Sequence, residues 1–155
     1  MNTMSGEYPH PSNAAVSAVM RGNKSKDTSP ELRIRSFLHR RGHRYRVHLS
    51  IPLKSGGQVR PDIVFTRQRV AVFVDGCFWH RCPHHGNVPR SNGGYWTQKL
   101  KRNQVRDAYV SAELRTAGWT VVRIWEHEEL GRAVNQIEDV LRVQPAGLSG
   151  IGHEL

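Results

Sequence analysis

Between residues 28 and 143 the apolar side chains recur with two different periods, and each change of period marks a new element. Ile34, Phe37 and Leu38 share one helical face behind Ser29, Pro30 and Glu31, which read as an N-cap, a first-turn proline and an acidic first turn; Gly42 stops the run. Tyr45, Val47 and Leu49 alternate with basic residues, which predicts a half-buried strand. Lys54 to Gln58, with Gly56 and Gly57, reads as a turn, and Asp62 to Phe65 and Val70 to Val74 are apolar runs of strand length. A long helix is expected over Tyr95 to Ala117, with Trp96, Leu100, Asn103, Asp107, Val110 and Leu114 on its inward stripe. Two polar residues therefore interrupt that stripe in its middle. Gly118 ends the helix, Thr120 to Trp125 is a β-branched strand, and Ala133 to Val143 is a final amphipathic helix. The order helix, three strands, helix, strand, helix predicts an α/β fold: a small mixed sheet flanked by helices.

Composition changes the picture at the ends. Residues 1–27 are rich in Ser, Asn, Gly and Lys and read as a flexible basic arm, residues 144–155 as a flexible tail, and residues 28–143 as one domain. A chain of 155 residues with 37% hydrophobic content supports a single core. The net charge of +10 points to a polyanionic partner, most simply nucleic acid, because exposed Lys and Arg release condensed counterions when they neutralise phosphates. No apolar run approaches the length of a membrane span and the first residues lack the apolar centre of a signal peptide, so the expectation is a cytosolic protein without a membrane partner. In that compartment Cys77 and Cys82, set among histidines, read as metal ligands rather than as a disulfide.

The chemistry concentrates around FVDGCFWHRCPHH, residues 73 to 85. Cys77, Cys82 and His84, with His127 just past the strand expected beside Val70 to Val74, form a Cys₂His₂ set for a structural zinc, with His85 as the alternative to His84. Asp62 starts one strand and Asp75 ends the next, an arrangement in which carboxylates can hold Mg²⁺, a hard cation that binds one or two of them together with substrate phosphates. His80 can move a proton near neutral pH. Glu31 and Asp107 can reach metal-bound waters from the two helices, and otherwise are ordinary helix carboxylates. Phe78 and Trp79 suit stacking on bases or wedging between them, and Trp96 either joins that wedge or opens the apolar stripe. Lys99 and Asn103, with Lys101, Arg102 and Arg106 on the same helix and Arg21, Lys24 and Lys26 in the arm, complete the candidate DNA-contacting set.

The segments MRGNKSKDTSPELRIRSFLHRRGHRYRVH, RPDIVF, VFVDGCFWHRCPHH, YWTQKLKRNQVRD and GWTVVRIWEHE, in this order, resemble the very-short-patch-repair DNA mismatch endonuclease family over about residues 19 to 143. The resemblance implies a restriction-endonuclease-like core of the PD-(D/E)xK type and a bacterial, nucleoid-associated enzyme that works as a monomer. Its activity would be an Mg²⁺-dependent nick beside the thymine of a T:G mismatch. It further implies that Asp62 and the Val74 carbonyl hold the catalytic metal, that His80 is the general base, and that Glu31 and Asp107 support the metal through water. Phe78, Trp79 and Trp96 match the aromatics that enter the duplex, and the arm would clasp the groove. The chain departs from the family's best-known member at Asp75, where that member has histidine, and at His84 and His127, where it has cysteines. Two rival readings stand beside this one: a restriction or damage-directed nuclease of the same fold, and a zinc-braced DNA-binding protein without catalysis.

Overall fold

The structure, a computed structural model, describes residues 27–77, 82–84 and 92–143. Its elements in chain order are α1 (Ser29–Arg40), β1 (Ile51–Pro52), β2 (Gln58–Val59), β3 (Ile63–Phe65), β4 (Val70–Asp75), α2 (Gly93–Thr116), β5 (Thr120–Trp125) and α3 (Leu130–Val143). β3, β4 and β5 form a mixed sheet in that order, β3 antiparallel and β4–β5 parallel; β1 and β2 make a separate short hairpin. The expected mixed α/β arrangement is therefore present, with helices on both faces.

Period-two alternation assigns the layers. Ile63, Phe65, Val70, Val72, Val122 and Ile124 face Ile34 and Leu38 of α1 and Ala133, Val134 and Ile137 of α3. Val64 and Ala71 face the other way, against Val110 and Leu114 of α2 and Ile51 of the hairpin, with Phe73 and Val121 at the edge of that cluster. The central strand β4 thus carries apolar side chains to both sides and becomes the spine on which both helical layers rest. Between α1 and α3, Glu138 accepts from Arg41 Nη1 at 2.6 Å and meets His43 Nε2 at 2.8 Å, so the layer is held by charge as well as by apolar contact.

Three local expectations change in the structure. The alternating stretch at Tyr45 to Leu49 does not become a strand; only Arg46 bridges Val64, and His48 sits at φ 56°, a left-handed conformation that ends extended pairing. Tyr45 instead donates its hydroxyl to the Arg35 carbonyl at 2.8 Å. α1 is capped at Thr28 rather than Ser29, and Glu31 reaches back to accept the Asp27 N–H at 2.8 Å. α3 begins at Leu130, three residues before the expected Ala133, because the Glu129 carboxylate accepts from the N–H groups of Gly131 and Arg132. Glutamate is an uncommon cap, so nothing in the usual capping preferences marks that start.

Both glycine stops hold. At Gly42 (φ 88°) the N–H of His43 donates to the Leu38 carbonyl and that of Gly42 to the His39 carbonyl, a left-handed helix ending that Gly118 repeats after α2. A Cβ at Gly42 would meet nothing within 4 Å, so the cost of Gly42→Ala is conformational alone. Gly42→Ala is therefore expected to lose about 1 kcal/mol of stability in urea unfolding.

Candidate acid site and thiol–imidazole centre

The acid site is built where β3 begins and β4 ends. The Asp62 N–H donates to the Val72 carbonyl at 2.9 Å, and this register turns the Asp62 carboxylate back so that Oδ2 accepts the Val74 N–H at 2.7 Å. Asp62 and the Val74 backbone, twelve residues apart in the chain, thus come together. Burial pushes the Asp62 carboxyl up to about 7; the Val74 N–H and Arg35 pull it down, and the charges of Glu31 and Asp75 push it further up. Two of the other three carboxylates expected here, Glu31 and Asp75, thus act on Asp62.

Each of the others is held by an arginine. Glu31 is 2% exposed, and its Oε2 accepts from Arg35 Nη2 at 3.2 Å as well as from the Asp27 N–H. Arg35 also donates through Nη1 to Asp27 Oδ1 at 2.6 Å and through Nη2 to the Asp62 carbonyl at 3.2 Å, which ties α1 to the start of β3. On the opposite side Arg123 of β5 donates through Nη1 to both oxygens of Asp75, at 2.8 and 3.0 Å, and its Nη2 lies 3.9 Å from Asp107 Oδ1. Asp107 reaches the site through that guanidinium.

Cys77 and His127 meet because of strand register. Val70 pairs with Thr120 and Asp75 with Trp125, an offset of fifty positions that Cys77 and His127 continue just beyond the strand ends. Cys77 Sγ lies 3.0 Å and Cys82 Sγ 3.6 Å from His127 Nδ1, and the three ligand atoms are within 4.8 Å of one another. The loop is fastened by backbone bonds: Cys77 N–H to Glu126 Oε1 at 3.0 Å, Cys82 N–H to the Cys77 carbonyl at 2.9 Å, and Glu126 N–H to the Asp75 carbonyl at 2.9 Å. Both cysteines are buried and unbridged, and burial, with the hydrogen bond to Cys82 and the Glu126 charge, pushes the Cys77 thiol up to about 12. A bound zinc would reverse that tendency. Tetrahedral Zn²⁺ with bonds of ~2.3 Å to sulfur and ~2.0 Å to nitrogen holds its S and N ligands about 3.5 Å apart, so the two thiols and His127 fit it as donors. The His84 ring is 6.3 Å from that of His127, close enough for His84 to be the fourth donor, although its ligand atom is not within the tight trio.

Among the DNA-contacting candidates, Trp96 is 5% exposed near the start of α2, with the Tyr95 ring edge-on at 5.3 Å and the Lys99 ammonium 5.6 Å from its ring centre. Asn103 and Asp107 occupy the polar gap of the stripe, half-buried, while Lys101, Arg102 and Arg106 are exposed. Phe78, Trp79, His80, His85, Arg21, Lys24 and Lys26 lie outside the described residues, as do the arm before Asp27 and the tail after Val143. Sequence reasoning passed over Arg35, Arg123 and Glu126. Arg35 had a signal, its spacing of four from Glu31 on the apolar face of α1, and so had Arg123, a lone charge inside an otherwise uncharged strand.

Comparison with known proteins places the chain in a family. The family model described as DNA mismatch endonuclease Vsr matches residues 11–86, the stretch that holds Glu31, Asp62, Asp75, Cys77 and Cys82. The type II nicking enzyme V.NaeI of Lentzea aerocolonigenes is 51% identical over 137 residues, covering 88% of this chain and 82% of its own. The type II nicking enzyme V.XorIIP of Xanthomonas oryzae pv. oryzae is 37% identical over 127 residues, covering 79% and 89%. The DNA mismatch endonuclease Vsr of Escherichia coli K12 is 35% identical over 123 residues, covering 77% and 74%. With relatives at 35 to 51% identity alike over most of their length, the chain belongs to the DNA mismatch endonuclease Vsr family.

Proposed function

We propose that this endodeoxyribonuclease nicks one strand of duplex DNA 5′ to the thymine of a T:G mismatch, using Mg²⁺ and opening very short patch repair. The observation that carries the reading is the buried Asp62 carboxylate, held against the Val74 backbone and pressed by the charges of Glu31 and Asp75. Such a group gains most from a divalent cation, and one carboxylate with a backbone carbonyl and substrate phosphate oxygens is a donor set that suits Mg²⁺. Bound there, Mg²⁺ supplies charge neutralisation at the scissile phosphate and a more acidic water. Asp62 and the Val74 carbonyl would hold the ion, His80 would take the proton from the attacking water, and Glu31 and Asp107 would hold waters around the site. Cys77, Cys82, His127 and His84, with His85 as the alternative fourth ligand, would hold a structural Zn²⁺ that braces the intervening loop. Phe78, Trp79 and Trp96 would separate the mispaired step, Trp96 after being uncovered from its buried position, while Lys99, Asn103 and the basic residues of the arm contact the backbone. The enzyme would act as a monomer in the bacterial cytoplasm, at the nucleoid; among the described residues no helix is long and apolar enough to cross a membrane.

A second reading keeps the chemistry and changes the target. Similar proteins from Lentzea aerocolonigenes and Xanthomonas oryzae are named type II nicking enzymes, which favours a nick governed by flanking sequence. Duplexes carrying T:G or C:G at one position within randomised flanks separate the two. The first reading expects nicking to require the mismatch, and equal rates on both duplexes would overturn it. Because unstacking a base step costs a few kcal/mol, Trp79→Ala is expected to reduce the T:G over C:G ratio by about tenfold at matched salt. An unmoved ratio would assign Trp79 to packing.

A further inference from the structure

Arg123 is the only charged side chain of β5, and each nitrogen of its guanidinium has a partner. Nε donates to Ser111 Oγ at 3.0 Å, Nη1 to both Asp75 oxygens at 2.8 and 3.0 Å, and Nη2 to the Asp107 carbonyl at 3.4 Å. The guanidinium carbon lies 4.5 Å from the ring centre of Phe73, the residue that pairs with Arg123 in the sheet. Asp75, the residue after Val74, is 6% exposed, and its charge acts on Asp62. By position it is a natural second carboxylate for a metal held at Asp62. Its lone pairs are already engaged by a cation that cannot give up its proton and is fixed from three sides.

We propose that Arg123 is a built-in counter-cation that withholds Asp75 from the divalent metal, so that the site offers a single carboxylate ligand and depends on the DNA phosphate to complete metal binding. The inference rests on the reading of Asp62 and the Val74 carbonyl as the metal's protein ligands. A guanidinium and a divalent ion compete for the same carboxylate oxygens and repel each other. With Arg123 in place, Asp75 neutralises the arginine rather than the metal. The consequence is weak metal binding in the free protein and strong binding on the substrate, which ties the armed state of the nuclease to DNA. Arg123 is thus a positioning and selectivity residue and touches no reacting atom.

The test is a titration of Mn²⁺ alone, read by loss of the free-ion electron paramagnetic resonance signal, on the full chain as purified and without DNA. Arg123→Met keeps a stem of similar length against Phe73 and frees Asp75; it is expected to bind Mn²⁺ about tenfold more tightly, since ligand charge count sets affinity at such sites. Asp75→Asn alone is expected to weaken Mn²⁺ binding by a few-fold, because it leaves the Arg123 charge unneutralised, and in the Asp75→Asn background Arg123→Met is expected to gain clearly less than in the parent, since no carboxylate is then freed. A gain of equal size with and without Asp75 would mean that a positive charge had merely been removed, and would overturn the inference. So would a gain that never appears. Should Arg123→Met fail to fold by circular dichroism, Arg123→Gln takes its place with the same expectations. Asp62→Asn provides the separate check: if Mn²⁺ binding survives it unchanged, the ion is not at Asp62 and the underlying reading fails, whatever Arg123 does.

Discussion

Asp62→Asn is expected to end strand cleavage while making the protein, without added Mg²⁺, more stable than the parent above pH 7. Asparagine keeps an oxygen for the Val74 N–H and removes the charge that burial, Glu31 and Asp75 disfavour. The Asp62 carboxyl is raised from 3.8 to about 7 in the fold, so the folded protein holds its proton more tightly than the unfolded chain does. The stability linked to that proton is complete below the unfolded value, fades as pH rises toward 7 and is gone above it. The ionised carboxylate then costs the fold about 2 to 4 kcal/mol, which the asparagine protein does not lose. Thermal melts from pH 4 to 9 should therefore show the two proteins diverging toward high pH, with added Mg²⁺ rescuing the parent alone. Cleavage should fall by about a thousandfold or more, because the metal contributes several kcal/mol to the transition state. Retained Mg²⁺-dependent nicking, or melts that run parallel across the whole range, would contradict the assignment of Asp62.

The second large effect belongs to the thiols. The parent is expected to purify with one zinc per chain, and Cys77→Ser to lose it and to destabilise the whole fold rather than the cleavage step alone. The Cys77 and His127 ligand atoms sit at the ends of β4 and β5, so an ion between them closes a long crossover and adds its binding free energy to folding. Breaking one of its bonds should cost about 3 kcal/mol or more, within the range for losing a structural cross-link. Elemental analysis with denaturant titration measures both. Zinc-free parent protein, or a serine variant that melts with the parent, would dismiss the site.

The sequence displayed these features unequally, for physical reasons. Helices α1 and α2 were legible because their endings use glycine in the one backbone conformation that glycine favours, and β5 because Thr120 to Trp125 is a run of β-branched residues. The stretch at Tyr45 to Leu49 misled because alternation describes side-chain faces and says nothing of a single residue, His48, turning left-handed. Asp62, Asp75, Glu31 and the thiols could be singled out by residue type. Their counter-charges could not: Arg35 and Arg123 look like members of a basic surface until packing shows one spanning α1 to β3 and the other spanning β4 to α2. In a chain of net charge +10, an arginine that neutralises a buried acid is hidden among those that face solvent.

The fifty-residue offset between β4 and β5 also sets the order in which the fold closes. β3 and β4 pair through a connection of a few residues, whereas β5 must come back across α2, so the parallel pair is the slow, late contact. Until Thr120–Trp125 docks, Asp75 has no Arg123 and Cys77 has no His127. The strand that arrives last thus brings both the guanidinium that engages Asp75 and the imidazole that meets the two thiols, so the thiol–imidazole centre closes only at the end of folding.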